Sequence, residues 1–261
     1  RIFRSAYDFE RMSNGPVNSS ILRDNLKNKY KTLEITSELD HFLNQYSYIS
    51  KEEKKTLFSD LILNSLEGDL ENKRFFEPMW GNLNGLNLTE KIMWIFQKVH
   101  LEGLLGRLDS STMSASVEGR VPFVDHRLIE FFNRVPLEFK LKWKSDTHKK
   151  EAELLNSDQI SEEYDITKYI LRETYKQGLP KIISSRKKVG FPVPLQKWLA
   201  GPLKNYAKSR LLASNSRSSK IYNSDEVKYS LENAGQDTKS GLKVWMMLNT
   251  EEWMRLYNVE I

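Results

Sequence analysis

The sequence predicts a mainly α-helical chain, and three observations carry that reading. Apolar residues recur at helical spacing, two-residue alternation is scarce, and most prolines keep to the middle of the chain. No proline falls within 17–77 and none follows Pro202, whereas six of the eight lie between Pro122 and Pro202. A proline ring clashes with the preceding helical turn and lacks an N–H, so the flanks can hold long helices while the middle is rich in loops.

Each element has its own signal. Ser50-Lys51-Glu52-Glu53 has the form of a capping box and leads into Leu57, Leu61 and Ile62. Ile92, Ile95, Phe96, Val99 and Leu104 make 89–105 an amphipathic helix. Leu128, Ile129, Phe131 and Phe132 make 125–135 a buried one, capped by Asp125. Gly235 and Gly241 bracket the start of a last helix carrying Val244, Trp245, Leu248, Trp253 and Leu256. The one candidate extended piece is 139–143, and the serine-rich stretch 214–219 reads as a mobile loop.

Composition narrows the class. The 261 residues suit one large domain or two small ones, and 39% hydrophobic with 29% charged residues is globular. With no Cys, a disulfide scaffold, a thiolate zinc site and a cysteine nucleophile are excluded within this chain. No apolar run approaches the ~20 residues of a membrane helix, and no secretory signal is visible. The start on Arg1, within an apolar-periodic stretch (Ile2, Phe3, Tyr7, Phe9), reads as a fragment of a longer cytoplasmic protein.

The net charge of +5 is unevenly placed. Residues 174–224 hold eleven Lys or Arg and no Asp or Glu, leaving 29 basic against 35 acidic residues elsewhere. Such a segment attracts anions, either nucleotide phosphate or a nucleic-acid backbone, or it is merely a solvated face. Its few aromatics (Phe191, Trp198, Tyr206) make a poor stacking surface for single strands.

Three blocks carry candidate chemistry. The first, 104–127, sets Asp109, Glu118, Arg120 and Asp125 among small and apolar residues just around Pro122. Charges spaced this way tend to pair, either to fix a loop or to build a site. In the second, Asp165 or Thr167 caps a helix over 165–175 and puts Lys168 in its first turn, against the macrodipole. An ammonium and a helix start converging on one anion make a phosphate or oxyanion site. The third, 179–199, is a loop fixed by Gly190, Pro192 and Pro194 that carries Arg186, Lys187 and Lys188.

Read together, LLGRLDSSTMSASVEGRVPFVDHRLIEF, KYILRE and LPKIISSRKKVGFPVPLQKWL resemble the carboxy-terminal synthetase domain of the asparagine synthetase family. The whole of 1–261 is expected to be the carboxy-terminal part of that domain, with the strongest resemblance over 100–200. The resemblance implies the helical part of an α/β domain of the ATP-pyrophosphatase type. The glutaminase domain and the pyrophosphate loop are expected outside this chain. It further implies ATP and Mg²⁺, attack of an aspartate carboxylate on the α-phosphorus, and displacement of AMP by ammonia drawn from glutamine.

By resemblance, Lys168 and Glu118 are the catalytic pair, and Arg186, Lys187 and Lys188 bind nucleotide phosphate. Asp109, Arg120 and Asp125 support the pocket, and no residue is assigned to a metal. Lys168, Glu118 and the 186–188 bend are expected to face one cavity. The stretch 106–111 lacks the Ser-Gly-Gly of the pyrophosphate loop and is not assigned that role. Two rival readings remain: a helical module whose basic stretch binds nucleic acid or an acidic partner, and an amidotransferase acting on another carboxylate.

Overall fold

A computed structural model describes every residue except 1, 15, 36, 67–69, 185 and 187–192. A 3₁₀ turn (Ile2–Arg4) leads into α1 (Ser5–Ser13), α2 (Ser20–Tyr30) and α3 (Glu38–Tyr46). Next come α4 (Lys51–Leu57), α5 (Asp60–Ser65), α6 (Leu70–Gly81), α7 (Leu88–Ile95) and α8 (Leu101–Met113). The middle holds α9 (His126–Arg134), α10 (Leu137–Lys140), β1 (Leu141–Trp143), α11 (Asp146–Glu151) and α12 (Ser157–Ile160). Then follow β2 (Asp165–Thr167), α13 (Tyr169–Thr174) and α14 (Lys181–Ser184). The chain ends in α15 (Leu195–Ala200), α16 (Lys204–Leu211), α17 (Ser224–Asn233) and α18 (Thr238–Leu256).

The mainly helical expectation holds among the described residues, whose one sheet has two strands. None of their helices is long and apolar enough to cross a membrane. The chain divides into two compact units, Arg1–Tyr46 with Phe75–Lys188 and Ser47–Arg74 with Val189–Ile261.

In the first unit Phe42, Phe76, Trp80, Ile92 and Ile95 form the main core, and Leu22, Leu26 and Tyr30 a smaller one. Asn87 and Glu90 close a capping box at the start of α7. The helix expected over 89–105 is interrupted: the Leu101 N–H reaches back five residues to the Phe96 carbonyl, making Phe96–His100 a π-helical turn between α7 and α8. The helix at 125–135 forms as α9, but none of its residues is buried and Phe131 is 59% exposed. Its apolar stripe is half covered because no further described layer closes over it.

The extended piece expected at 139–143 begins only at Leu141. It pairs antiparallel with β2, with Leu141 opposite Thr167 and Trp143 opposite Asp165. Asp165 is therefore a strand residue and caps no helix. Its buried carboxylate accepts from Arg4 Nε at 2.9 Å and from the Glu162 N–H at 2.8 Å. Arg4 in turn stacks over the Trp143 ring at 4.1 Å, so sheet and amino terminus are fixed together.

In the second unit the Ser50–Glu53 capping box is present as expected. Its helix stops at Phe58, whose backbone bridges to Tyr222, and Ser59 caps a new start for α5. Leu57, Leu199, Tyr222, Val244, Met247 and Leu248 are among the core residues. Gly235 lets the backbone pass close by: a Cβ there would come within 2.9 Å of Ala200 Cβ. The serine-rich 214–219 is not a free loop. The buried Glu251 carboxylate accepts from Ser216 Oγ at 3.0 Å, Ser218 N–H at 2.7 Å and Arg217 N–H at 3.2 Å. Burial would raise its pKa, yet these donors and Arg255 Nε at 2.6 Å pull it down to about 2.

Candidate active site

The first block is divided between a helix and a loop. Residues 106–111 lie inside α8, with their N–H groups engaged in the helix, which agrees with denying them a phosphate-loop role. Asp109 is exposed on that helix. The chain then folds back over α8 at Gly119, where a Cβ would lie 3.1 Å from Thr112 Oγ1 and 3.3 Å from Leu108 Cγ. This close approach presents Glu118 and Arg120 to solvent, where they pair with each other at 3.0 Å.

Asp125 caps α9 by accepting from the Arg127 N–H at 3.0 Å. It also takes Arg127 Nε at 3.0 Å and Nη2 at 2.7 Å. The Arg127 guanidinium, then the Arg127 amide, hold its carboxyl at about 2.

The second block departs from its expected geometry. Lys168 is the N-cap residue of α13, not part of its first turn, and its backbone is left-handed at φ 54° and ψ 38°. A non-glycine side chain in that region is strained, and such strain gathers at functional sites. Among the described residues the Lys168 side chain is exposed and makes no hydrogen bond or ion pair.

Its junction is fixed by Arg172. Arg172 N–H bonds the Lys168 carbonyl at 3.1 Å, and Arg172 Nε bonds the Thr167 carbonyl at 3.0 Å. Arg172 Nη1 reaches the Ser184 carbonyl at 3.1 Å and the Arg186 carbonyl at 3.4 Å. Glu162 secures the same corner, accepting from Thr167 Oγ1 at 2.7 Å and facing Arg172 at 3.9 Å. A cavity of about 320 Å³ opens here, with Lys144, Asp165, Thr167, Arg172 and Arg186 in its wall.

Arg186 is thus brought to the corner that carries Lys168, and Lys187 and Lys188 lie outside the described residues. Neither Lys168 nor Glu118 lines this cavity, and no bond or ion pair joins the two. Sequence reasoning missed Arg172 as the clamp, although a cation four residues after Lys168 was there to be read.

It also missed a buried polar centre in the first unit. Asp8 accepts from Tyr30 Oη at 2.7 Å, Ser157 Oγ at 2.7 Å, Arg11 Nη2 at 2.7 Å and Lys29 Nζ at 3.3 Å. Burial, and then the Asp8 charge, push the Tyr30 phenol well up. His41 lies 5.2 Å from both the Phe9 and Tyr30 rings, and burial lowers it to about 4.

The model of the asparagine synthase family matches residues 10–255, which include all three blocks. The chain belongs to the asparagine synthase family.

Among curated relatives, asparagine synthetase [glutamine-hydrolyzing] 1 of Bacillus subtilis is 25% identical over 223 residues, 85% of this chain and 31% of that protein. A putative asparagine synthetase of Mycobacterium tuberculosis is 29% identical over 132 residues, 50% of this chain and 17% of its own length. The amidase chyE of Penicillium rubens is 33% identical over 107 residues, 41% of this chain and 14% of its own. The chain therefore spans less than a third of the length of these relatives. No solved structure matches it.

Proposed function

We propose that this asparagine synthase family chain is the carboxy-terminal part of a synthetase domain, in a protein that makes an amide from a carboxylate and ATP through an acyl-adenylate. Aspartate is the proposed acceptor, and ammonia is supplied from glutamine by a glutaminase domain elsewhere in the protein. The observation that carries this reading is Lys168, an exposed cation without an ion pair among the described residues, on a left-handed backbone at a strand-to-helix junction clamped by Arg172. The left-handed backbone fixes the direction in which the Lys168 side chain leaves the junction, and an ammonium there can stabilise negative charge that grows during reaction.

Bound ATP supplies the phosphoanhydride, and an exposed Lys168 beside the Arg186 corner suits its phosphates. Lys168 would hold the charge on the departing pyrophosphate, and Arg186 with Lys187 and Lys188 would extend that basic edge. Glu118, paired with Arg120, is proposed as the acid that orients the partner group, and Asp109 and Asp125, which do not line the cavity at the Lys168 corner, are proposed as supports of the pocket in the complete protein. Mg²⁺ would be held chiefly by the ATP phosphates, since it needs only one or two carboxylates beside them; among the described residues no group of three acidic or histidine side chains is placed to hold a metal ion.

The basic stretch favours this reading over a nucleic-acid module, because several of its cations are used internally. Arg210 pairs with Glu252 at 3.1 Å, Lys176 faces Glu173 at 3.6 Å, and Arg217 bonds the Met254 carbonyl at 3.0 Å.

In the complete protein, Lys168→Ala is expected to lower carboxylate-dependent ATP–pyrophosphate exchange by about a hundredfold or more, with an unchanged circular dichroism spectrum. Undiminished exchange would remove the assignment. Exchange that depends on a carboxylate other than aspartate would keep the chemistry and replace the acceptor.

A further inference from the structure

A second cavity in the first unit, of about 360 Å³, lies where the π-helical turn meets α9. Its wall is hydrocarbon, from Phe3, Met93, Phe96, Leu101, Leu104 and Phe132. A volume in this range and an apolar lining with few polar groups are what small-molecule sites have in common. π-helical turns inside α-helices are frequent at functional sites, because the inserted residue re-aims the side chains around it.

The polar groups divide in two. Gln97 and Asn133 exchange hydrogen bonds of 2.8 and 3.2 Å and so satisfy one another. His100 and Lys140 do not. Among the described residues neither side chain makes a hydrogen bond or ion pair, and His100 has only ring contacts with Phe96 and Tyr46. Burial lowers the Lys140 pKa, and Glu90, beyond ion-pair distance, only partly offsets it. A partly buried cation beside hydrocarbon, with its nearest carboxylate beyond ion-pair distance, is under-compensated, and a small anion in the cavity would relieve that cost.

We propose that this cavity binds a small apolar carboxylate, with its hydrocarbon against Phe96, Leu104 and Phe132 and its carboxylate on Lys140. A ring N–H of His100 donates a second hydrogen bond to the same carboxylate. The site is separate from the Lys168 corner and does not depend on the adenylate chemistry.

Isothermal titration calorimetry of the complete protein with 3-phenylpropionate and its neutral amide, 3-phenylpropanamide, tests this. The carboxylate is expected to bind at least about tenfold more tightly than the amide, the mark of a charge contact. Lys140→Met should remove about that factor and Lys140→Arg should keep most of it. Leu104→Trp, at a half-exposed position, should fill the space and abolish binding of both probes. Equal binding of acid and amide, an unaffected Lys140→Met variant, or no binding of the acid up to about 10 mM would each overturn the proposal. If Lys140→Met fails to fold, the acid-to-amide ratio in the unsubstituted chain and the Leu104→Trp variant decide the matter.

Discussion

Helices α9 and α18 reverse the usual link between sequence pattern and burial. In α9 the two kinds of residue separate sharply, with Leu128, Ile129 and Phe132 on one side and Arg127, Glu130 and Arg134 on the other. Yet none of its residues is buried. In α18 polar and apolar residues mix around the axis, and Lys243, Glu251, Met247 and Met254 are all buried. The difference lies in the neighbours. α17 meets Lys243 with Glu226 at 2.8 Å, and the 216–218 turn surrounds Glu251 with donors, so charges enter the second unit with partners. An amphipathic face shows which side of a helix needs cover, and only a second layer supplies it.

The comparison can be broken by mutation. The largest effect is expected for Met247→Ala in α18, at a fully buried position, with a loss of about 2–5 kcal/mol in denaturant unfolding. A loss under about 1 kcal/mol would show that the second core is loosely packed.

Next comes acidification, which acts on the first unit through His41. Its folded pKa of about 4 lies below the ordinary value of 6.5, so the folded state resists protonation. The stability this neutral ring contributes is complete above 6.5 and is lost as pH falls from there towards 4, about 3 kcal/mol in all. His41→Phe should flatten that part of the stability–pH curve. An unchanged slope would refute the burial argument.

Smaller still is Ser50→Ala, which removes a cap accepting from the Glu53 N–H at 3.3 Å and should cost about 1 kcal/mol. The smallest is Phe131→Ser on α9, expected to stay within about 0.5 kcal/mol in the same unfolding measurement because more than half of the residue is already exposed to water. A large loss there would mean that α9 is covered in solution, and would bring the two helices back to one rule.

What was legible in the sequence was local. The caps at Ser50 and Asp125 form where their spacing places them, since a cap needs only its own next few residues. Lys168 and Arg186 were also legible as members of a motif, but their conformation was not. Asp165 looks like a helix cap because it precedes an amphipathic run. Strand pairing with Trp143 and the buried contact with Arg4 take it instead, and both partners are distant in sequence. With 165–167 extended, the helix can start only at Tyr169, and Lys168 takes up the left-handed turn between them.

The sequence by itself therefore determined the helical class, the capped starts and the ordered motifs of the asparagine synthase family, all properties of neighbours along the chain. Tertiary structure decided which charges are buried and which faces stay open. Asp8 gathers donors from α1, α2 and α12, and Glu251 gathers its own from a serine-rich turn 33 to 35 residues earlier. The physical reason is desolvation. A charge can leave water only where several donors meet, and no local pattern records that meeting.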